Sequence, residues 1–297
     1  MDIKAILMGL AFAAMWSSAF TSARVIVEYA PPLTALTLRF AMSGAVAVGI
    51  ALAMGQRMNL TRLQWRGVIV FGICQNALYL GLNFVAMQTV EASLASIIAS
   101  TMPLLVGLAG WVIFRRRLPF LGVAGLVTGF VGVAIIMSAR LSAGSDLYGI
   151  ALCGVAAISI TVATLSVAGA SAGGNLMMVV GLQMWVGCLF CAVPAALFET
   201  WNVDWSWQLI TAFLYTVLVP GVLATLVWFQ LVGRIGAVKA STFHFLNPFL
   251  GVLVAAVLLG ERIGVLDIVG VLVIAAGILA VQLSRQKTPV VGQKTVA

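Results

Sequence analysis

Polar side chains stand in small groups within otherwise apolar stretches of this chain, and these are the residues whose types and spacing could do chemistry. One group places Asn76, Tyr79 and Asn83 at intervals of three and four residues, so that they share one face of a helix. Bare amides that face lipid are costly. We therefore expect this face to contact protein or a cavity, either through interhelical hydrogen bonds or as the wall of a binding site.

Two further groups belong to matching segments, residues 95–105 and 240–250. Each segment begins with Ala-Ser, has a proline seven residues after the serine, and has a leucine two residues after the proline. A proline inside a helix removes one hydrogen bond and crowds the carbonyl four residues back. In a membrane that carbonyl must face protein or a watery cavity. The segments therefore predict two kinked helices beside a cavity, with hinges at Pro103 and Pro248 and with candidate binding residues Ser96, Ser100, Ser241 and His244.

His244 is the only histidine of the chain. It fits either a buried neutral side chain bonded to a neighbour or a substrate contact or proton site. Trp16, Trp228 and Phe243 lie inside apolar spans, away from the interfacial belt where tryptophan collects, and they fit either core packing or an apolar cavity wall.

Several chemistries have no matching motif in the sequence. It contains no nucleotide-binding Gly-Lys loop, no His-Glu-x-x-His motif and no pair of buried carboxylates. We therefore expect no enzymatic activity, no metal and no cofactor, and we expect no ATP-driven transport by this chain alone.

The elements that must position these residues are membrane helices. The chain of 297 residues is 63% hydrophobic and 8% charged, with a mean hydropathy of +1.16, whereas soluble domains average about 25% charged residues. Continuous apolar runs without alternation predict an all-α integral membrane protein rather than a barrel. The predicted spans are 4–25, 33–54, 65–87, 91–114, 118–139, 147–169, 175–198, 207–232, 237–259 and 264–284.

Loop charges indicate how these ten helices are oriented. With the N-terminus in the cytoplasm, twelve of the sixteen basic residues fall on the inner side, as the positive-inside rule requires. The sequence therefore predicts that both termini are cytoplasmic. The net charge of +8 is explained by this topology and is not a sign of nucleic-acid binding.

An internal repeat relates the two halves of the chain. At a constant offset of 145 residues, 86–140 and 231–285 are identical at twelve positions, which include the pairs Ser96/Ser241 and Pro103/Pro248. Each half holds five helices. Because five is odd, the second half must enter the membrane in the opposite sense, which predicts two inverted repeats.

The two five-helix halves, Trp16, the Leu38-Arg39-Phe40 run and the paired prolines resemble the EamA-type drug/metabolite transporter superfamily, and within it the aromatic amino-acid exporters called YddG. The resemblance covers residues 1–285 and implies a substrate site between the halves, built by helices 1, 3, 4, 6, 8 and 9. The second half has Thr161 in place of Trp16 and Met184 in place of Arg39. The predicted substrate-binding residues are Trp16, Asn76, Tyr79, Asn83, Ser96, Ser100, Thr161, Trp228, Ser241, Phe243 and His244.

The sequence and the resemblance together predict a secondary transporter of the bacterial inner membrane. It would export aromatic and other neutral amino acids by alternating access, and the absence of a deep Asp, Glu or Lys favours a zwitterionic or uncharged substrate. Exporters of other small amphipathic metabolites or drugs, and a channel-like facilitator, remain alternatives. The expected partners are a small-molecule substrate and membrane lipid, with no nucleic acid, and a monomer is compatible with the sequence. The expected domains are repeats at 1–140 and 146–285 and a cytoplasmic tail at 286–297.

Overall fold

A computed structural model describes residues 2–113, 115, 118–142, 144, 146–166, 175–235 and 240–286. Within these ranges the chain forms helices and no strands. The helices, numbered α1 to α10, are Ile3–Tyr29, Pro32–Ala53, Arg62–Ala86, Ala92–Val112, Phe120–Ser142, Leu147–Ser166, Leu176–Phe198, Trp207–Ile235, Ser241–Leu246 continued by Asn247–Leu259, and Val265–Gln286. Nine of these are long and apolar enough to cross a membrane, and α9 contributes a shorter apolar helix, Phe243–Leu259. Of the predicted tail, residues 287–297 lie outside the described residues.

Helix starts follow local side-chain chemistry. Asp2 accepts the backbone N–H of Ala5, Thr61 and Gln64 form a reciprocal capping box, and Ser206 accepts the N–H of Leu209. Proline is the first residue of α2, where its missing N–H costs nothing. These caps satisfy backbone donors that the helix itself leaves unpaired.

Four helices are irregular at matched places in the two halves. In α4, an α-helix ends at Ala99 and a second one begins at Met102, with Pro103 as its second residue. In α9, a 3₁₀ helix ends at Leu246, and Pro248 is the second residue of the α-helix that follows. The middle of α3, Gly72–Leu80, and the middle of α8, Val217–Leu223, are π-helical. The two π-helical segments begin 145 residues apart, which is also the spacing of the two prolines.

Two helix pairs on the periphery are held by close backbone contact. A Cβ atom on Gly277 of α10 would lie 2.5 Å from the backbone nitrogen of Gly129 in α5. A Cβ atom on Gly181 of α7 would lie 3.0 Å from the carbonyl oxygen of Gly44 in α2. Small residues allow such approach between membrane helices. The pairs α5–α10 and α2–α7 flank the remaining helices, among which α1 contacts α8 and α9 and α6 contacts α3 and α4.

Charged side chains join helix ends at the rims of the molecule. Arg140 of α5 pairs with Glu91 before α4 and with Asp267 of α10, the latter at 3.1 Å. Glu261 accepts the backbone N–H groups of Ala92 and Ser93 at 2.8 and 3.0 Å, which closes the start of α4 against the α9–α10 loop.

Two aspartates, one before α1 and one before α6, make similar contacts with the ends of α8 and α3. Asp2 pairs with Arg234 at the end of α8, and Asp146 accepts the hydroxyl of Thr89, after α3, at 2.6 Å. The hydrogen bond from Arg234 lowers the pKa of Asp2 to about 2, and the hydrogen bond from Thr89 lowers the pKa of Asp146.

Candidate functional site

A small cavity lies where the broken part of α4 meets α1, α3, α6 and α9. Its volume is ≈ 20 Å³, which is enough for a water molecule, since a water needs about 10–15 Å³ by the same measure, and is far too small for an amino acid. The lining residues are Trp16, Ser17, Phe20, Tyr79, Ser96, Ala99, Ser100, Met102, Pro103, Ile160, His244 and Asn247. The cavity therefore combines aromatic rings with hydroxyl and amide groups.

The helix breaks bring the polar residues to the cavity. Ser100 occupies the turn between the two parts of α4, and its hydroxyl donates to the carbonyl of Ser96 at 2.7 Å. Asn247 is the first residue after the 3₁₀ segment of α9, and its carbonyl accepts the hydroxyl of Ser17 at 3.3 Å. Each proline thus places a loosened stretch of backbone beside the cavity, as expected when a helical hydrogen bond is lost.

Two buried polar atoms at the cavity are without a partner in the described part of the chain. They are Ser96 Oγ and Asn247 Oδ1. Ser96 lies directly against the backbone of Gly251, where an added Cβ would come within 1.9 Å of the hydroxyl. A buried polar atom that makes no hydrogen bond is expensive, so both atoms are suited to accept a hydrogen bond from water or from a bound N–H or O–H group.

His244 is held by an amide and surrounded by aromatic rings. Its Nδ1 lies 3.0 Å from Asn247 Nδ2. Because an amide nitrogen can only donate, Nδ1 is the acceptor and the ring proton belongs on Nε2. The Phe12 ring meets the imidazole edge-on at 5.4 Å, and the Trp228 ring lies at 5.3 Å. This arrangement suits a neutral histidine that orients its neighbours.

Five of the predicted binding residues line the cavity: Trp16, Tyr79, Ser96, Ser100 and His244. The hinge residue Pro103 lines it as well, whereas Pro248 is buried next to the lining residue Asn247.

The predicted polar face of α3 is divided by the π-helical segment. Asn76 points at α7, where its Nδ2 donates to the carbonyl of Gln183 at 2.9 Å, while Tyr79 lines the cavity. The i→i+5 bonding of a π-helix turns less per residue than an α-helix, so residues spaced for one α-helical face separate. Asn83 does not line the cavity; its Nδ2 donates to the carbonyl of Tyr79 at 2.7 Å.

Four more predicted residues lie elsewhere or escape description. Thr161 donates to the carbonyl of Ala157 within α6, and its neighbour Ile160 lines the cavity instead. Trp228 stacks on Phe12 at 4.7 Å and forms a layer behind His244. Phe243 is buried against Gly9 of α1, where an added Cβ would come within 2.3 Å of its ring. The side chain of Ser241 lies outside the described residues.

Sequence reasoning did not select six lining residues: Ser17, Phe20, Ala99, Met102, Ile160 and Asn247. Ser17 and Phe20 are one and four residues from Trp16, and Asn247 is three residues from His244. The spacings of Phe20 and Asn247 are those of side chains that share a helix face, whereas Ser17 follows Trp16 directly and has no such signal.

No cluster of three or more His, Cys, Asp or Glu side chains suited to a metal ion occurs among the residues that the structure describes.

An all-helical bundle with many apolar helices of membrane-spanning length is typical of a multi-pass membrane protein. The model of the EamA-like transporter family matches residues 3–138 and again residues 147–283, and the chain belongs to this family.

Two transporter-named relatives are similar to the chain at low identity. The chain is 26% identical to "Uncharacterized transporter YvbV" of Bacillus subtilis, over 94% of this chain and 92% of that protein. It is also 26% identical to a Salmonella typhimurium protein named "Probable amino-acid metabolite efflux pump", over 89% of this chain and 90% of that protein. A solved crystal structure of another protein is 20% identical in sequence to this chain. The two align over 95% of this chain and 99% of that chain with a TM-score of 0.68, which shows a shared fold.

Proposed function

We propose that this chain is a secondary transporter that exports amino acids, aromatic and other neutral ones, across the bacterial inner membrane by alternating access. The observation that carries the proposal is the cavity at the breaks of α4 and α9, where Trp16, Phe20 and Tyr79 supply apolar surface and Ser96 and Asn247 supply unpaired polar atoms. Aromatic rings beside a few convergent polar groups are typical of small-molecule sites. The name of the Salmonella relative supports an amino-acid metabolite as substrate.

The size of the cavity favours alternating access over a pore. At ≈ 20 Å³ it cannot hold an amino acid, so the helices around it must move before a substrate can bind. A channel would need a continuous polar path, whereas apolar side chains such as Ile160 and Met102 contribute to this wall.

The proposal includes two inverted five-helix repeats with both termini in the cytoplasm. Support comes from the two matches of one family model, from the matched breaks at Pro103 and Pro248, and from the matched π-helical segments. An alkaline phosphatase fused after Gln286 should be inactive, because the enzyme folds only outside the cytoplasm. Strong activity at that position would contradict the orientation.

The function is tested by counterflow in proteoliposomes. Vesicles that hold the purified protein and unlabelled phenylalanine should accumulate labelled phenylalanine transiently, which a channel cannot do. Ser96→Ala should raise the half-saturating concentration about three- to tenfold, the effect of one lost hydrogen bond.

Ser159→Ala is the matched control, because its buried hydroxyl donates to the carbonyl of Cys74 at 2.9 Å, away from the cavity. This variant should behave as the parent protein does. Absence of counterflow with every neutral amino acid tried would contradict the proposed substrate class, and equal effects of both substitutions would remove Ser96 from the site.

A further inference from the structure

Arg39 is a buried positive charge without an opposite charge beside it. It is only 6% exposed, and its Nε makes no hydrogen bond with the described part of the chain. All eight acidic residues are described, and none of them forms an ion pair with Arg39. Arg39 is the eighth residue of α2, about 10 Å along the helix from Pro32 at 1.5 Å per residue.

The surroundings of Arg39 compensate its charge only in part. Its guanidinium carbon lies 5.5 Å from the centroid of the Phe40 ring, a cation–π contact. Cys191 of α7 and Tyr79 of α3 lie within range of its electrostatic interaction. Tyr79 also lines the central cavity, so the surroundings of Arg39 extend to a residue of the candidate site.

The fold itself does not demand an arginine at this place. The equivalent residue of the second half, 145 positions later, is Met184 in α7, which is buried with 7% exposure. A methionine therefore fills the same position of the repeat without charge. An unpaired cation inside a membrane protein is costly, and such residues mark ligand and ion pathways.

We propose that Arg39 binds the carboxylate group of the transported substrate when movement of α3 brings the cavity and Arg39 together. The planar guanidinium presents paired N–H donors that match the two oxygens of a carboxylate. Ser96 Oγ and Asn247 Oδ1 at the cavity can accept hydrogen bonds from an ammonium group. Donors for a carboxylate and acceptors for an ammonium group together suit an α-amino acid, so this inference rests on the proposed function and deepens it.

The test compares phenylalanine with phenylalaninamide, in which a neutral amide replaces the carboxylate. Counterflow by the full-length protein should favour the acid by about 10- to 100-fold in half-saturating concentration, the range expected for a hydrogen bond between charged groups. In Arg39→Met the preference should vanish because the half-saturating concentration of the acid rises. The half-saturating concentration of the amide should stay within twofold of its value for the parent protein. Arg39→Lys should retain part of the preference, since lysine keeps the positive charge but lacks the paired N–H donors of the guanidinium.

The controls separate binding from folding. Met184→Leu alters the equivalent position in the second half and should leave both substrates unaffected, and size-exclusion profiles should match for all variants. Equal weakening of acid and amide in Arg39→Met would make Arg39 structural and overturn the proposal. A lipid phosphate bound at Arg39 would likewise leave the acid-to-amide ratio unchanged and overturn it.

Failure of the proposed function has a different signature. If the parent protein transports neither compound, the proposed substrate class fails. Whether Arg39 binds a carboxylate is then tested by ligand binding to the purified protein. Thermal stabilisation of purified protein should be stronger with phenylpropionate than with phenylpropionamide, and only when Arg39 is present. Stabilisation that does not depend on Arg39 would overturn the site.

Discussion

The two halves of the molecule share a backbone plan but contribute unequally to the cavity. Breaks at Pro103 and Pro248 and π-helical segments in α3 and α8 recur at one offset along the chain. Nine of the twelve lining residues nevertheless come from the first half and three from the second. The repeat thus accounts for the places where helices lose regular hydrogen bonding. The side chains that line the cavity, by contrast, differ between the two halves.

The two halves agree at the breaks and diverge away from them. Ala99 and His244 are equivalent positions, as are Met102 and Asn247, and all four line the cavity. Away from the breaks, Trp16 lines the cavity but its counterpart Thr161 does not. A repeated frame can therefore carry a site without internal symmetry, which suits a substrate with two different ends.

The largest effect should come from removing the aromatic wall of the first half. Trp16→Ala should lower the counterflow rate at least tenfold, because the ring supplies cavity surface and packs against Phe12 at 5.8 Å. Thr161→Val at the equivalent position of α6 should keep at least half of the parent rate. Similar losses in both variants would mean that the halves contribute equally.

The prolines should have a smaller and paired effect. Pro103→Ala and Pro248→Ala each allow a helical hydrogen bond to form, which should favour one conformation and slow counterflow about three- to tenfold without weakening substrate binding. We expect the two variants to differ in the side from which a membrane-impermeant reagent reaches a cysteine placed at Ser100. Native transport rates in both would show that the prolines are only packing features.

His244 should matter less, because its counterpart Ala99 fills the equivalent place without a titratable group. His244→Gln retains a hydrogen-bonding side chain next to Asn247 and should change the half-saturating concentration two- to fivefold with counterflow preserved. Loss of proton-driven uptake with intact counterflow would instead make His244 the coupling residue.

The smallest effect should come from the exposed aspartate contacts at the ends of α8 and α3. Asp2 and Arg234 are about half exposed, and such ion pairs contribute little. The pKa of Asp2 is lowered from 3.8 to about 2, so its pairing with Arg234 is complete above the ordinary value and is lost only as the pH falls toward 2. Asp2→Asn and Asp146→Asn should each change the transport rate less than twofold between pH 6 and 8. If either variant made the transport rate strongly dependent on pH, these contacts would contribute more to transport than we expect.

The helices could be predicted well because length and charge define them. The apolar run at 207–232 corresponds to Trp207–Ile235, and the predicted 175–198 corresponds to Leu176–Phe198. The proline rule likewise located the irregular parts of α4 and α9.

The faces of the helices were harder to predict than their bounds. When nearly every residue of a helix is apolar, periodicity does not tell the inner face from the lipid face, and Ser17 and Phe20 were therefore not selected. Asn76 and Tyr79 face different neighbours because α-helical spacing does not hold in a π-helical stretch. The burial of Arg39 depends on how α2 packs against α3 and α7, which its position in the sequence does not report.

The π-helical segment of α3 has a consequence for how such a site can change. Each π-helical hydrogen bond spans one residue more than an α-helical one. If one residue within Gly72–Leu80 were deleted, the backbone could therefore stay hydrogen-bonded by returning to regular α-helical pairing. The two ends of α3 would then rotate relative to each other, and a different set of side chains would replace Tyr79 at the cavity without any substitution. A single-residue deletion, which ordinarily damages a membrane helix, should at this place change the cavity wall while the helix is kept.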